Sequence, residues 1–137
     1  MEELLKMAAY CRVSTLSEEQ ELSLVNQTER FREYILNNPK YIFAGIYADQ
    51  ISGKSADKRK QFILLLKACR NGEVQMVITK SISRFARNLC ETLEVVRELR
   101  RLGIGVIFEK ENINTLDSAS DFGFRFTPLL RKRNSTA

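Results

Sequence analysis

The 137-residue chain contains no histidine. That absence excludes Ser-His-Asp and Cys-His nucleophilic catalysis and every zinc site built with imidazole. Cysteine is scarce as well. Cys11, Cys69 and Cys90 are odd in number, far apart, and never form a C-x-x-C pair. Their apolar or helix-period surroundings predict buried, reduced thiols rather than disulfides or metal ligands. Long apolar runs are missing too: "FILLL" at 62–66 is far too short to span a bilayer, and no N-terminal stretch has the form of a signal peptide. A soluble, cytoplasmic protein with no membrane partner is expected.

What is present suits one folded domain. Apolar residues make up 44% and charged residues 28%, ordinary values for a globular chain that buries a core. The net charge is +5, which suits a polyanionic partner without proving one. The positive charges gather at Lys54, Lys58, Arg59 and Lys60, at Lys80, Arg84 and Arg87, at Arg97, Arg100 and Arg101, and at 131–133.

Short apolar runs alternate with helix-period segments. Strands are expected at 7–13 ("MAAYCRV"), 41–49 ("YIFAGIYAD"), 74–79 ("VQMVIT") and 105–109 ("GVIFE"). Between them lie three apolar stripes: Leu24, Thr28, Phe31 and Ile35; Phe62, Leu65, Leu66 and Cys69; Leu89, Leu93, Val96 and Leu99. Each stripe predicts a helix. Pro39 stops the first helix, and Gly72 and Gly103 end the others, Gly72 as a left-handed cap. The order β-α-β-α-β-α-β argues for an α/β fold with a mostly parallel sheet of four to five strands and helices on both faces. Beyond Thr115 the period fades, so residues 1–117 are read as the domain and 118–137 as a divergent or truncated, poorly ordered segment.

The stretch "SGKS" at 52–55 resembles the end of a phosphate-cradling P-loop. In a P-loop, however, the helix opens at the Lys-Ser pair, whereas here Asp57 is the better N-cap for the stripe that begins at Phe62. The following strand also ends in Lys80, where a magnesium-binding carboxylate would be needed. Nucleotide binding is therefore not expected.

In open parallel sheets, ligands bind beyond the carboxyl ends of the strands. Those ends carry Arg12 and Ser14, then Asp49, then Lys80, Ser83, Arg84 and Arg87. Without histidine, a serine hydroxyl needs another means of activation, and surrounding guanidinium groups could supply it by lowering the cost of the alkoxide and of charge on a transferring phosphoryl group. On pattern alone, capping competes with this role, because "TLSE" at 15–18 has the form of a capping box. Arg84 and Arg87 are three apart, hence neighbours on one helical face, and they oppose the macrodipole at that helix start. Such a pair makes sense if it binds an anion. Asp49, Glu109 and Asp117 leave open a metal-dependent nuclease, and a non-catalytic DNA-binding or assembly module is a further alternative.

Taken in order, "YCRVST" (10–15), "ISGKSADKRKQF" (51–62) and "TKSISRFARN" (79–88), with "FEKENINT" at 108–115, resemble the catalytic domain of the serine site-specific recombinases, nearest to the large branch of resolvase, invertase and integrase relatives. The resemblance implies a resolvase-like domain in which Ser14 attacks a phosphodiester of double-stranded DNA, giving a 5′-phosphoserine link and a leaving 3′-hydroxyl. Strand exchange and rejoining then proceed in a homo-oligomer, dimer to tetramer, with no metal, nucleotide or other cofactor. It also implies that Arg12, Arg84 and Arg87 contact the scissile phosphate, that Arg59 is a further active-site arginine, and that Tyr10, Gln27, Asp49 and Lys80 support the site. Ser83 stands where the smaller resolvases carry an aspartate, which leaves the proton donor to the leaving hydroxyl open. The long helix that follows this domain in the family is not expected from residues 118–137.

Overall fold

A computed structural model describes residues 4–13, 18–50, 59–86 and 88–117. The elements run β1 (Leu5–Val13), α1 (Glu18–Leu36), β2 (Tyr41–Gln50), α2 (Lys60–Arg70), β3 (Met76–Thr79), α3 (Ile82–Phe85), α4 (Leu89–Arg101), β4 (Gly105–Phe108) and β5 (Ile113–Asn114). The strands form one sheet in the order β2-β1-β3-β4-β5. The first four are parallel. Only β5 runs antiparallel, pairing Phe108 with Ile113.

Alternation along β1 builds two cores. Met7, Ala9 and Cys11 face α1, where they pack with Phe31 and Ile35, together with Met76 and Ile78 of β3. Ala8 and Tyr10 face the other way, toward Phe62 and Leu65 of α2, Phe85 of α3, and Leu93, Val96 and Leu99 of α4. Each large side chain buried in this way contributes about 1.5–3 kcal/mol. Tyr10, Phe62, Phe85 and Phe108 form an edge-to-face ladder, with successive ring centroids 5.1, 5.2 and 5.4 Å apart. The ladder joins β1, α2, α3 and β4 beneath one end of the sheet.

Several local features depart from the expected pattern. Helix α1 begins well before residue 24, and β3 begins at Met76 rather than residue 74. Helix α2 starts at Lys60 with Arg59 in the N-cap position and no side-chain cap from it. Asp57, expected as the N-cap, lies outside the described residues. Gly72 and Gly103 do take positive φ, 78° and 80°, and close α2 and α4. Cys11 and Cys69 are buried as expected, but Cys90 is exposed. Position 90 lies on the solvent side of α4, whose inward face is Thr92, Leu93, Val96 and Leu99.

Strand β2 carries a bulge. Met7 pairs with Phe43, but Ala9 pairs with Ile46, so β2 spends one extra residue over this interval. Gly45 takes it up at φ 119°, a conformation costly for any residue with a Cβ. The extra residue reverses the side-chain alternation of β2. Phe43, Ile46 and Ala48 face α1, whereas Ala44 and Tyr47 face α2, and Asp49 follows Tyr47 onto that side.

Candidate active site

The strand order changes direction at β1. The crossover through α1 leads to β2 on one side, and the crossover through α2 leads to β3 on the other. The crevice this leaves at the carboxyl ends of β1 and β3 is where doubly wound sheets bind ligands. Tyr10 pairs with Thr79 across the two strands, and Thr79 Oγ1 donates to the Tyr10 carbonyl at 2.9 Å. Beyond this tie β3 ends, while β1 runs on beside β2 to Val13.

Arg12 and Arg84 meet there. Arg12 Nη2 donates to the Ser83 carbonyl at 2.7 Å, and Arg84 Nη1 donates to the Arg12 carbonyl at 3.0 Å. Burial, and then the positive charge of Arg59 and Arg84, press the Arg12 guanidinium below its ordinary pKa. The environment thus penalises positive charge, and an anion placed among these groups would relieve the penalty. Arg12 and Arg84 are each half-buried and Ser83 is exposed, so the cluster is open to a ligand.

Helix α3 is a single turn that begins after Ser81 and ends at Phe85. Ser81 does not cap it. Glu111, from the turn between β4 and β5, does so instead, accepting from Ile82 N at 3.1 Å. The Ser81 and Ser83 hydroxyls lie 3.0 Å apart. Ala86 and Asn88 are both extended, so the turn that carries Arg84 does not run on into α4. The expectation of one helix fails because Asn88 starts a new one, its Oδ1 accepting from Glu91 N at 2.8 Å.

Asp49 lies below the crevice as a buried acceptor. It receives the Tyr10 hydroxyl at 2.8 Å and the backbone N–H groups of Gln61 and Phe62 at 2.9 and 3.1 Å. A carboxylate from β2 thereby caps α2, a role that suits the positive end of a helix. Burial first, and then the Asp49 carboxylate, push the Tyr10 hydroxyl above its ordinary pKa, against the opposing pull of Arg59. Tyr10 is a neutral donor there.

Arg59 is almost wholly buried, at 4% exposure. Its guanidinium lies 3.8 Å from the Phe62 ring centroid, pairs with Glu91 at 2.8 Å and donates to the Phe85 carbonyl. It adjoins the crevice but turns inward. Gln27 of α1 is partly buried, and its Oε1 has no hydrogen-bond partner among the described residues. Lys80 is exposed beside the crevice, its carbonyl accepting from Lys110 N at 2.8 Å. Ser14, Arg87 and the "SGKS" loop lie outside the described residues.

Two of the carboxylates considered for a metal are committed elsewhere. Asp49 serves Tyr10 and α2, and Glu109 pairs with Arg30 at 2.8 Å. Among the described residues no group of three or more acidic or cysteine side chains is arranged to hold a metal ion. Nor is any helix there long and apolar enough to cross a membrane.

The sheet and its crevice are those of an α/β catalytic domain of the site-specific recombinase class. The family model described as "Resolvase, N terminal domain" matches residues 7–133, and the chain belongs to that family. It is a recombinase domain, an enzyme that cuts and rejoins DNA. Among solved structures, it is similar to a resolvase family site-specific recombinase from Streptococcus pneumoniae, with 27% identity over 96% of this chain and 90% of that one and a TM-score of 0.78. A serine recombinase from Sulfolobus solfataricus is 29% identical over 77% of this chain and 68% of its own, with a TM-score of 0.57. The N-terminal catalytic domain of TP901-1 integrase shares the fold at 19% identity, over 96% of this chain and 97% of that one, with a TM-score of 0.68. A comparison with curated proteins gives no match.

Proposed function

We propose that Ser14 is the nucleophile. Its Oγ attacks a phosphodiester of double-stranded DNA, forming the Oγ–P bond while the bond to the 3′-oxygen breaks. The serine proton is lost, and the departing 3′-oxygen gains one. Rejoining is the reverse attack by a 3′-hydroxyl, within a homo-oligomer of two to four subunits.

The reciprocal Arg12–Arg84 contact carries this reading. It fixes two guanidinium groups at the switch point of the sheet, with Arg12 two residues before Ser14 in the chain. Positive groups fixed before reaction stabilise charge on a transferring phosphoryl group without reorganising at the moment of transfer. Arg87 joins them in the proposed phosphate contact, Lys80 adds positive charge beside it, and Gln27 supports the site from α1. Tyr10 and Asp49 hold the floor.

The test is incubation with a nicked, suicide DNA substrate, followed by mass spectrometry of the peptide containing Ser14. A DNA adduct on Ser14 that disappears in Ser14→Ala supports the reading. An adduct that persists in a folded Ser14→Ala protein removes Ser14 as nucleophile.

A further inference from the structure

Among the described residues, the most deeply buried arginine of the site turns inward, beneath the crevice. Arg59 Nη1 donates to Glu91 Oε1 at 2.8 Å, Nη2 donates to the Phe85 carbonyl, and the guanidinium stacks on Phe62 with Tyr10 alongside, 5.6 Å from its ring centroid. The two acceptors have a particular relation in sequence. Phe85 is the last residue of α3, and Glu91 lies in the first turn of α4. They stand on either side of the extended residues Ala86 and Asn88, with Arg84 just before Phe85. Glu91 is itself tied to this connection through its N–H bond to Asn88.

We propose that Arg59 and Glu91 form a positioning clasp, which sets the α3–α4 connection so that Arg84 faces the phosphate, and that Arg59 does not itself touch DNA. The proposal rests on the reading of Arg84 as a phosphate ligand. To reach a phosphate, Arg59 would have to leave a carboxylate, a carbonyl and an aromatic face together, stranding a polar group beside the aromatic ladder. Its planar fork explains why arginine is suited here. One guanidinium serves two acceptors in fixed geometry while stacking on a ring, which an ammonium cannot do.

The test uses Arg59→Met, Glu91→Met and the double variant, since a buried ion pair is often replaceable by apolar side chains of similar size when both partners go together. Each is followed by the single-turnover rate of adduct formation on suicide DNA and by amide hydrogen exchange across residues 82–91. The clasp predicts that each single variant slows the reaction at least about tenfold and speeds exchange in this segment. It predicts that the double variant recovers to within about tenfold of the unaltered protein, because the two losses are coupled.

A double variant with restored exchange but the full defect of Arg59→Met would show that the charge itself is needed, and would overturn the proposal. So would an unimpaired Glu91→Met beside an inactive Arg59→Met. If the unaltered protein forms no adduct on Ser14, the failure belongs to the proposed reaction. The exchange measurement still decides the clasp, and unchanged exchange in both single variants rejects it. Should the methionine singles not fold, Arg59→Lys keeps the charge but loses the fork; faster exchange at 82–91 in that variant supports the clasp, and unchanged exchange overturns it.

Discussion

Arg84 donates to the main-chain carbonyl of Arg12, 72 residues away in sequence, and Arg12 answers with a bond to the carbonyl next to Arg84. Two arginines thus hold each other's backbone across the crevice. Like charges brought this close cost energy unless an anion lies between them or solvent screens them.

Removing one of them should therefore cost more in catalysis than in folding. Arg84→Ala is expected to slow adduct formation by about 10²–10³, the loss typical of one preorganised oxyanion donor. Its stability cost should be about 1–2 kcal/mol, that of one hydrogen bond from a charged donor. Single-turnover cleavage beside a urea titration separates the two. A variant that cleaves at an undiminished rate would rule out the phosphate role.

Asp49 should matter chiefly to stability. Asp49→Ala removes the cap of α2 and leaves the Tyr10 hydroxyl buried without its acceptor, a combined cost of about 2–4 kcal/mol. Asp49→Asn keeps an acceptor and should cost less. Urea midpoints at constant m-value provide the measurement.

The buried acids predict alkaline destabilisation. Burial pushes the Cys11 and Cys69 thiols from an ordinary 9.0 up to about 12, and raises the Tyr10 hydroxyl as well. Between these limits the folded chain holds protons that the unfolded chain has lost, so stability falls as pH rises. The contribution is fully present below about pH 9 and disappears toward pH 12. Cys69→Ala should flatten the decline of unfolding free energy between about pH 9 and pH 12; an unchanged slope would argue against it.

Thiol reagents should distinguish the cysteines at neutral pH. Cys90 is exposed, whereas Cys11 and Cys69 are buried and resist ionisation, and the thiolate is the reactive form. Cys90 should be modified alone in the folded protein, and all the cysteines in denaturant. Peptide mapping after alkylation identifies the residue. Native labelling of Cys11 would show that β1 opens.

The sheet and its helices were legible because apolar period reports burial directly. Phe31 and Ile35 of α1, and Leu93, Val96 and Leu99 of α4, are core residues in sequence pattern and in structure alike. What escaped the sequence depends on distance in space. Asp49 caps α2 from a neighbouring strand, and Glu111 caps α3 from a turn 29 residues on; no local motif encodes either contact. The bulge at Gly45 was hidden inside an apolar run, yet it decides that Asp49 faces Tyr10 rather than α1. The inward turn of Arg59 was equally invisible, since spacing ranks an arginine by position and not by the partners that capture it. Arg84 stands at the crevice that the strand ends predicted.

The acceptors of Arg12 and Arg84 at the crevice are the carbonyls of Ser83 and Arg12, and Arg59 beneath it uses that of Phe85. Every amino acid supplies a carbonyl, so evolution can rewrite the side chain at position 83 without dismantling the arginine scaffold.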